Sequence, residues 1–317
     1  MEQETRRIAL YKTRTFSEKI GDTFDFLREN WRQLAVWLTY LMLPLSLVSA
    51  VSMNTMMGTY LSVFSSAGSG ELSTADALST SLSYLAVMVL SFLAVAMGLS
   101  LTYGAMRLYE QRPQRLQGLT LSDLRPYITQ GVGRMFVLTL LASILLVMLV
   151  VVLVFFGVGF AMAAPRVGIF MLVLLYAAIP VVMVPLTLTA PVYLFEDDIN
   201  PFQAYLKAWR LGWATWGGVA AVLIVLGVLV YLIIGVCSIP LYGTWIYRIL
   251  TLSRGEEMVQ PGMLASMGLY LLSVVVGYIG HMLSVIVYVG LAYQYGHACD
   301  KIDGAGIDRE IEDFEQL

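Results

Sequence analysis

The sequence carries little charge. Only 13% of its 317 residues are Asp, Glu, Lys or Arg, about half the fraction usual in a soluble globular domain, whereas 58% are hydrophobic. Cysteine and histidine are equally scarce, with two of each. Cys237 and Cys299 lie at the ends of different apolar segments, so they cannot pair within one subunit, and no metal-site spacing occurs. The net charge of −3 says nothing useful about nucleic acid, and no basic, aromatic-interleaved patch suggests a nucleic-acid partner.

Catalytic signatures are also missing. The chain has no glycine-rich loop ending in Lys-Ser or Lys-Thr that would cradle a phosphate, no metalloprotease histidine pair and no nucleophile elbow. We therefore expect no catalytic residue, no metal and no cofactor, and we predict that the protein is not an enzyme.

Six long apolar stretches dominate what is present. A helix of about 20 apolar residues crosses the ~30 Å hydrocarbon core of a bilayer. The pattern predicts an all-α integral membrane protein, with a six-helix transmembrane domain at residues 15–296 between a polar segment at 1–14 and an acidic tail at 297–317. The predicted spans cover residues 34–55, 80–106, 135–162, 168–195, 216–239 and 265–294.

Lysine and arginine are unevenly distributed among the segments outside the spans. Sixteen lie in the N-terminal segment, the second and fourth connections and the C-terminal tail. The other three connections hold only Arg166, Arg248 and Arg254. Because basic residues are retained on the cytoplasmic side of a membrane, both termini are predicted to be cytoplasmic.

A weak internal repeat organises the chain. Thr15–Glu18 and Thr120–Asp123 share the pattern Thr-apolar-Ser-acid, which is close to a capping box, and Asn200-Pro201 is a third helix-start signal. Sixteen residues after each start stands an aromatic residue that opens a span: Trp31, Phe136 and Trp216. The pattern predicts three parallel copies of one unit, an amphipathic helix on the cytoplasmic face followed by a transmembrane hairpin. The alternative is that interfacial helices before spans are simply common.

The three amphipathic segments differ in strength. The first places Phe16, Phe24 and Trp31 on one stripe, with charged residues such as Lys19 elsewhere. The second contains Pro126 and two glycines, which would break a helix begun at Thr120, so it starts later or is bent. The third carries aromatic and aliphatic residues at helical spacing: Phe202, Tyr205, Leu206, Trp209, Trp213 and Trp216. Such helices lie in the membrane interface or cover the end of a bundle.

One stretch carries a family resemblance. It runs from Ala190–Phe195 through the acidic Glu196–Asp197 and Pro201–Tyr205 to Trp209–Trp213. It resembles the signature of a diffuse group of six-span bacterial inner-membrane proteins, which includes uncharacterised families and the membrane domain fused to some glycerophosphodiester phosphodiesterases. The helix at Thr15–Trp31 resembles that group's opening segment. The resemblance implies the fold, the topology and a bacterial inner membrane, but no catalytic residue, because the phosphodiesterase active site lies in a soluble barrel that this chain lacks.

His281, near the middle of span six, is the first candidate site residue. An ionisable side chain at that depth marks a functional site by default. The structural alternative is a neutral histidine held by hydroxyl groups of neighbouring spans. No Asp, Glu, Lys or Arg accompanies His281 at that depth, which argues against an ion-driven pump.

The second candidate is an interfacial motif around the end of span four. Its acidic run, Glu196–Asp198, could hold a divalent cation that bridges lipid phosphates, or could simply favour the dipole of the helix that follows. Pro180 and Pro185 are candidate hinges in span four, where freed carbonyls are satisfied by neighbours or line a cavity. The motif comprises Pro191, Glu196, Asp197, Asp198, Asn200, Pro201, Trp209, Arg210 and Trp213.

Three classes of function stay open. The favoured one is a non-enzymatic membrane module whose partners are membrane lipids, a second protein or further copies of itself. The alternative is a permease or channel for an apolar or amphipathic solute, which would need a cavity near Pro180 and His281. An intramembrane enzyme would need at least two convergent polar groups, and the spans supply one.

Overall fold

The computed structural model describes residues 7–66, 74–163, 165–254 and 262–306, which form helices and no strand. These residues contain eight helices: α1 (Phe16–Ser66), α2 (Thr74–Gln111), α3 (Leu121–Ala163), α4 (Pro165–Leu186), α5 (Thr189–Phe195), α6 (Pro201–Ala214), α7 (Trp216–Ser253) and α8 (Met263–Asp303).

Six membrane-spanning segments occur in the described residues, as the hydropathy pattern predicts. Each is long and apolar enough to cross a bilayer. Together with the all-helical content, they confirm an all-α, multi-pass membrane protein. Several of the helices are longer than the bilayer requires: α1 has 51 residues, which is roughly 75 Å at 1.5 Å per residue. Their polar ends therefore extend beyond the hydrocarbon core.

A helix begins directly after each of the three start signals, and the second begins at Leu121, earlier than the later start that Pro126 and the glycines led us to expect. The backbone N–H and hydroxyl of Thr15 donate to the Glu18 carboxylate, and those of Thr120 donate to Asp123 in the same way. At the third start, Asn200 and Gln203 form a reciprocal capping box. Each start is fixed by contacts within four residues, which is why local sequence is sufficient to predict it.

Two of the three predicted amphipathic helices are not separate elements. α1 and α3 each run from the predicted start through the span without interruption, and only α6 stands alone, ending at Ala214 with Thr215 as its C-cap. Pro126 does not break α3 because it lies in the second turn, where it removes one backbone hydrogen bond. Gly131 lies where α3 meets α2: a Cβ at this position would overlap Ser100, so this glycine serves close packing.

α8 extends past the predicted start of the acidic tail. It continues without a break from residue 297 to Asp303, and His297 and Cys299 are buried. The helix stops at Gly304, whose φ of +71° favours glycine. The rest of the predicted tail, residues 307–317, lies outside the described residues.

The chain divides into two compact units. The first comprises Met1–Glu29, Leu99–Leu226 and Val287–Leu317. Its core is aromatic: the ring centroids of Phe26 and Tyr109 lie 5.2 Å apart, and those of Tyr103 and Phe195 lie 5.0 Å apart. Edge-to-face and tilted arrangements of this kind are favourable for buried rings.

The second unit comprises Asn30–Gly98 and Gly227–Ile286. Within it, hydrogen bonds link α1 to α8. The hydroxyls of Thr39 and Tyr278 lie 2.7 Å apart, and the Asn54 amide donates to Ser273 over 3.1 Å. Polar contacts of this kind hold helices together in lipid, where packing gains no hydrophobic driving force.

The hairpin of α3 and α4, in the first unit, is unusual in its exposure. The side chains at 143–152 and 154–156 of α3 are all exposed, so no face of the helix over these turns is covered by protein. Only the beginning of α3 is packed, through residues such as Leu124 and Leu138. Over these turns α3 thus carries exposed apolar side chains all around its axis.

Candidate functional site

Span four is interrupted near Pro185. α4 ends at Leu186, the N–H groups of Thr187 and Leu188 make short-range bonds to carbonyls three residues earlier, and α5 begins at Thr189. Pro180, the other candidate hinge, lies inside α4 and does not end it. Pro191 is buried within α5.

The interruption is closed by Trp216. Because Pro185 has no N–H, the Val181 carbonyl four residues earlier lacks its helical partner. The Trp216 indole N–H donates to that oxygen over 3.0 Å. On the same side, Gly212 lies so close that a Cβ there would be 2.5 Å from the Pro185 Cα.

The acidic run after α5 is largely neutralised by bases of the first unit. Glu196 lies 2.8 Å from the Lys207 amine and accepts from the Tyr295 hydroxyl over 2.6 Å. Asp197 lies between the guanidinium groups of Arg107 and Arg134. Asp198 is exposed, and no ion pair to it occurs within the described ranges. The three carboxylates therefore do not converge on one point, and among the described residues no cluster suited to a metal ion occurs.

The two arginines also hold the backbone of this segment. Arg107 donates to both Asp197 oxygens, over 3.1 and 2.5 Å, and to the Phe195 carbonyl. Arg134 donates to the Glu196 carbonyl over 2.5 Å and stacks over the Tyr193 ring at 4.2 Å. The hydrogen bond from Arg107, opposed by burial and assisted by the charges of Arg107 and Arg134, lowers the pKa of Asp197.

A second cluster of ion pairs links α6 to the end of α8. Arg210 donates to both oxygens of Asp303, over 2.7 and 2.9 Å, and the Lys207 amine lies 3.7 Å from that carboxylate. Burial alone would lower the pKa of Lys207, but its hydrogen bond and attraction to Glu196, with Asp303 nearby, outweigh burial and raise it. The predicted motif residue Arg210 is thus a structural partner of α8.

α6 directs four large apolar side chains away from the protein and buries Leu211. Small residues face inward, among them Ala204, Ala208 and Gly212. The outward stripe consists of Phe202, Leu206, Trp209 and Trp213, all exposed, and the rings of Trp209 and Trp213 form a T-shaped pair. Such a helix suits the membrane interface, where aromatic residues are favoured.

Several buried polar residues of the first unit were not predicted from the sequence. Lys19, expected on a polar face, is 4% exposed, and among the described residues its amine has no hydrogen-bond or ion-pair partner. Gln294 is fully buried; its amide donates to Thr215 while its oxygen has no partner. The backbone N–H of Arg14 donates to Nδ1 of the His297 ring. No sequence signal could reveal this grouping, because the residues lie up to 283 positions apart.

His281 lies in the second unit, half-buried on α8. Within the described ranges no side chain hydrogen-bonds to its ring. One turn earlier, Gly277 faces Ser46, whose buried hydroxyl has no partner in the described part of the chain. The two predicted sites thus belong to different units.

Comparison with known proteins identifies no relative of this chain. No protein-family model, curated protein or solved structure matches the chain. The resemblance to six-span inner-membrane proteins and to the phosphodiesterase membrane domain therefore stays a prediction.

Proposed function

We propose that the protein is a non-enzymatic module of the bacterial inner membrane, with both termini in the cytoplasm, that acts through its contacts with membrane lipids. The exposed α3 carries this proposal. Over residues 143–156 almost every side chain is apolar and exposed, in all directions around the helix. A helix packed only for stability would bury one face against the bundle. Lipid contact is thus the largest interaction that this part of the molecule makes.

The chemistry at the polar end of the first unit supports a non-catalytic role. Glu196, Asp197 and Asp303 are each engaged by at least one base. Their geometry holds helix ends and a turn together. A general acid or base would instead stand within reach of a bound substrate, with its proton free to move.

A permease is the second candidate, and one observation favours it. The break between α4 and α5 at residues 187–188 is the kind of interrupted helix from which many transporters build a solute site. The Val181 carbonyl at this break, however, is engaged by Trp216. We therefore rank the lipid-contacting module first.

Two measurements test the proposal. Native mass spectrometry of the protein released gently from its own membrane is expected to show retained phospholipid. A photo-crosslinking amino acid at Met148, which is exposed, is expected to label lipid, with the same probe at exposed Asp198 as the control. A stoichiometric water-soluble metabolite in the spectra, or solute flux into liposomes that hold the protein, would reverse the ranking. A single protein partner at position 148 would move the proposal from lipids to proteins.

A further inference from the structure

A small cleft opens beside Asp197 in the first unit. It lies where α2, α3 and the segment after α5 meet, and its enclosed volume is about 20 Å³. That is room for a single water molecule or one ligand oxygen. The polar residues that line it are Ser100, Tyr103, Arg107, Gln130, Arg134 and Asp197.

Two glycines make the cleft possible. A Cβ at Gly104 would lie 2.8 Å from the Tyr127 Cβ, and one at Gly131 would overlap the Ser100 side chain. α2 and α3 therefore approach more closely here than two larger residues would allow. Both glycines also line the cleft, so that its wall at these points is backbone.

The cleft is rich in donors and carries a net positive charge. Two guanidinium groups face one carboxylate, and neither Arg107 nor Arg134 uses its Nε–H on any acceptor in the described part of the chain. Tyr103 is 1% exposed, and its hydroxyl has no partner among the described residues. A buried hydroxyl without a partner costs about 1–3 kcal/mol, so a ligand acceptor within hydrogen-bond distance of it would recover that cost.

An exposed apolar track leads away from the cleft along α3. Val137, Ile144 and Met148 lie three, ten and fourteen residues after Arg134, which places them on its face of the helix. Their exposed fractions are 46%, 51% and 62%. A ligand held at Arg134 by an anionic group could thus lay a hydrocarbon chain on α3.

We propose that this cleft binds the phosphate group of an anionic phospholipid, and the inference rests on the proposed lipid-contacting function. One phosphate oxygen enters the cleft and accepts from the Tyr103 hydroxyl and from the free edge of a guanidinium group. Arginine suits this role because its planar fork pairs with phosphate through two parallel bonds. The rest of the headgroup lies at the open mouth, beside the exposed Gln130.

The test measures binding of phosphatidylglycerol, phosphatidylcholine and inorganic phosphate to the full chain in detergent, by native mass spectrometry and melting temperature. Phosphatidylglycerol is expected to bind most tightly. Tyr103→Phe, which removes only the hydroxyl, should weaken it about tenfold, since a hydrogen bond to a charged group is worth about 1.5–3 kcal/mol. Arg134→Gln should weaken it further, and Arg125→Gln, an exposed arginine earlier in α3, is the matched control.

The outcomes separate this inference from the function on which it rests. Equal phosphatidylglycerol binding by wild type, Tyr103→Phe and Arg134→Gln would overturn the cleft and leave a lipid-contacting module. Inorganic phosphate that binds as tightly and displaces the lipid would overturn the lipid as ligand. Absence of any retained lipid would overturn both. If Arg134→Gln does not fold, Tyr103→Phe decides alone, because no contact within the described residues depends on its hydroxyl.

Discussion

The indole N–H of Trp216 donates to the Val181 carbonyl, the oxygen that Pro185 leaves without a helical partner. One residue at the start of α7 thereby supplies the donor that Pro185 removes from α4. In lipid, a carbonyl without a partner is costly, so the proline and the tryptophan depend on each other.

Replacement of Trp216 by Phe should therefore destabilise the protein by about 1–3 kcal/mol, since the Val181 carbonyl loses its donor. In a Pro185→Ala background the restored N–H can bond the same carbonyl, and the cost of Trp216→Phe should shrink. The measurement is a double-mutant cycle of melting temperatures in detergent. An equal loss of stability on Trp216→Phe in both backgrounds would show that the two residues are not coupled.

Gly212 and Gly217 form a matched pair for a steric test. A Cβ at Gly212 would meet the Pro185 backbone, whereas nothing lies within 4 Å of a Cβ at Gly217. Gly212→Ala should lower the yield of folded protein severely, because the backbone it meets cannot yield as a flexible side chain can. Gly217→Ala should be neutral or raise the melting temperature slightly, as alanine is the better helix former. Similar behaviour of the two variants would contradict the close approach of α6 to α4.

Asp197 gives a pH-dependent prediction. Its folded pKa lies below the ordinary value, so its contribution to stability is present above the unfolded pKa of about 4 and is lost as pH falls through the lower, folded pKa. Asp197→Asn should melt below wild type at pH 7, and the gap should close at pH values under about 4. The difference should be small, because the side chain is 54% exposed and therefore screened. Asp198→Asn should show no gap at either pH.

Lys19 gives a stabilising substitution. The Lys19 residue is 4% exposed, and its amine lacks an ion-pair partner in the described part of the chain, which costs folding free energy. Lys19→Met keeps the approximate length of the side chain. It should increase the free energy of unfolding by on the order of 1 kcal/mol and so raise the melting temperature. Lys12→Met, whose side chain is 49% exposed and 3.8 Å from Glu18, should change little. A fall in stability on Lys19→Met would reveal a partner for the amine.

His281→Ala should leave expression and any cellular phenotype nearly intact, because no described side chain hydrogen-bonds to its ring. Tyr278→Phe, one turn earlier, removes the 2.7 Å contact with Thr39 and should cost about 1 kcal/mol. Melting temperature and a growth phenotype measure both variants. Complete loss of function by His281→Ala at normal expression would restore this residue as a functional site.

Hydropathy and capping motifs predict much of this fold. Six spans follow from composition, because a backbone in lipid must satisfy its own hydrogen bonds and adopts helices to do so. The starts at Thr15, Thr120 and Asn200 follow from neighbours within four residues. Whether a helix then continues into the span depends on packing, as at Gly131 against Ser100, and sequence periodicity carries no such information.

The candidate site was predictable only in part. Its acidic run is visible in the sequence, but the bases that engage Asp197 lie 90 and 63 residues earlier, near the end of α2 and within the first half of α3. The burial of Lys19 could not be predicted from the sequence either. Helical periodicity places it on a polar face, yet it cannot tell that the face is covered once the chain folds.

The exposed turns of α3 bear on the order in which the protein is assembled. No side chain at 143–152 or 154–156 is buried against a helix that follows later in the chain, so these turns can enter the bilayer before those helices are synthesised. The Val181 carbonyl then lacks a donor until Trp216, 35 residues later in the chain, has been synthesised and packed against α4. The hydrogen bonding at Pro185 in span four is therefore restored only when α7 packs against α4. Formation of the hydrogen bond from Trp216 to Val181 would thus mark the assembly of α4, α6 and α7.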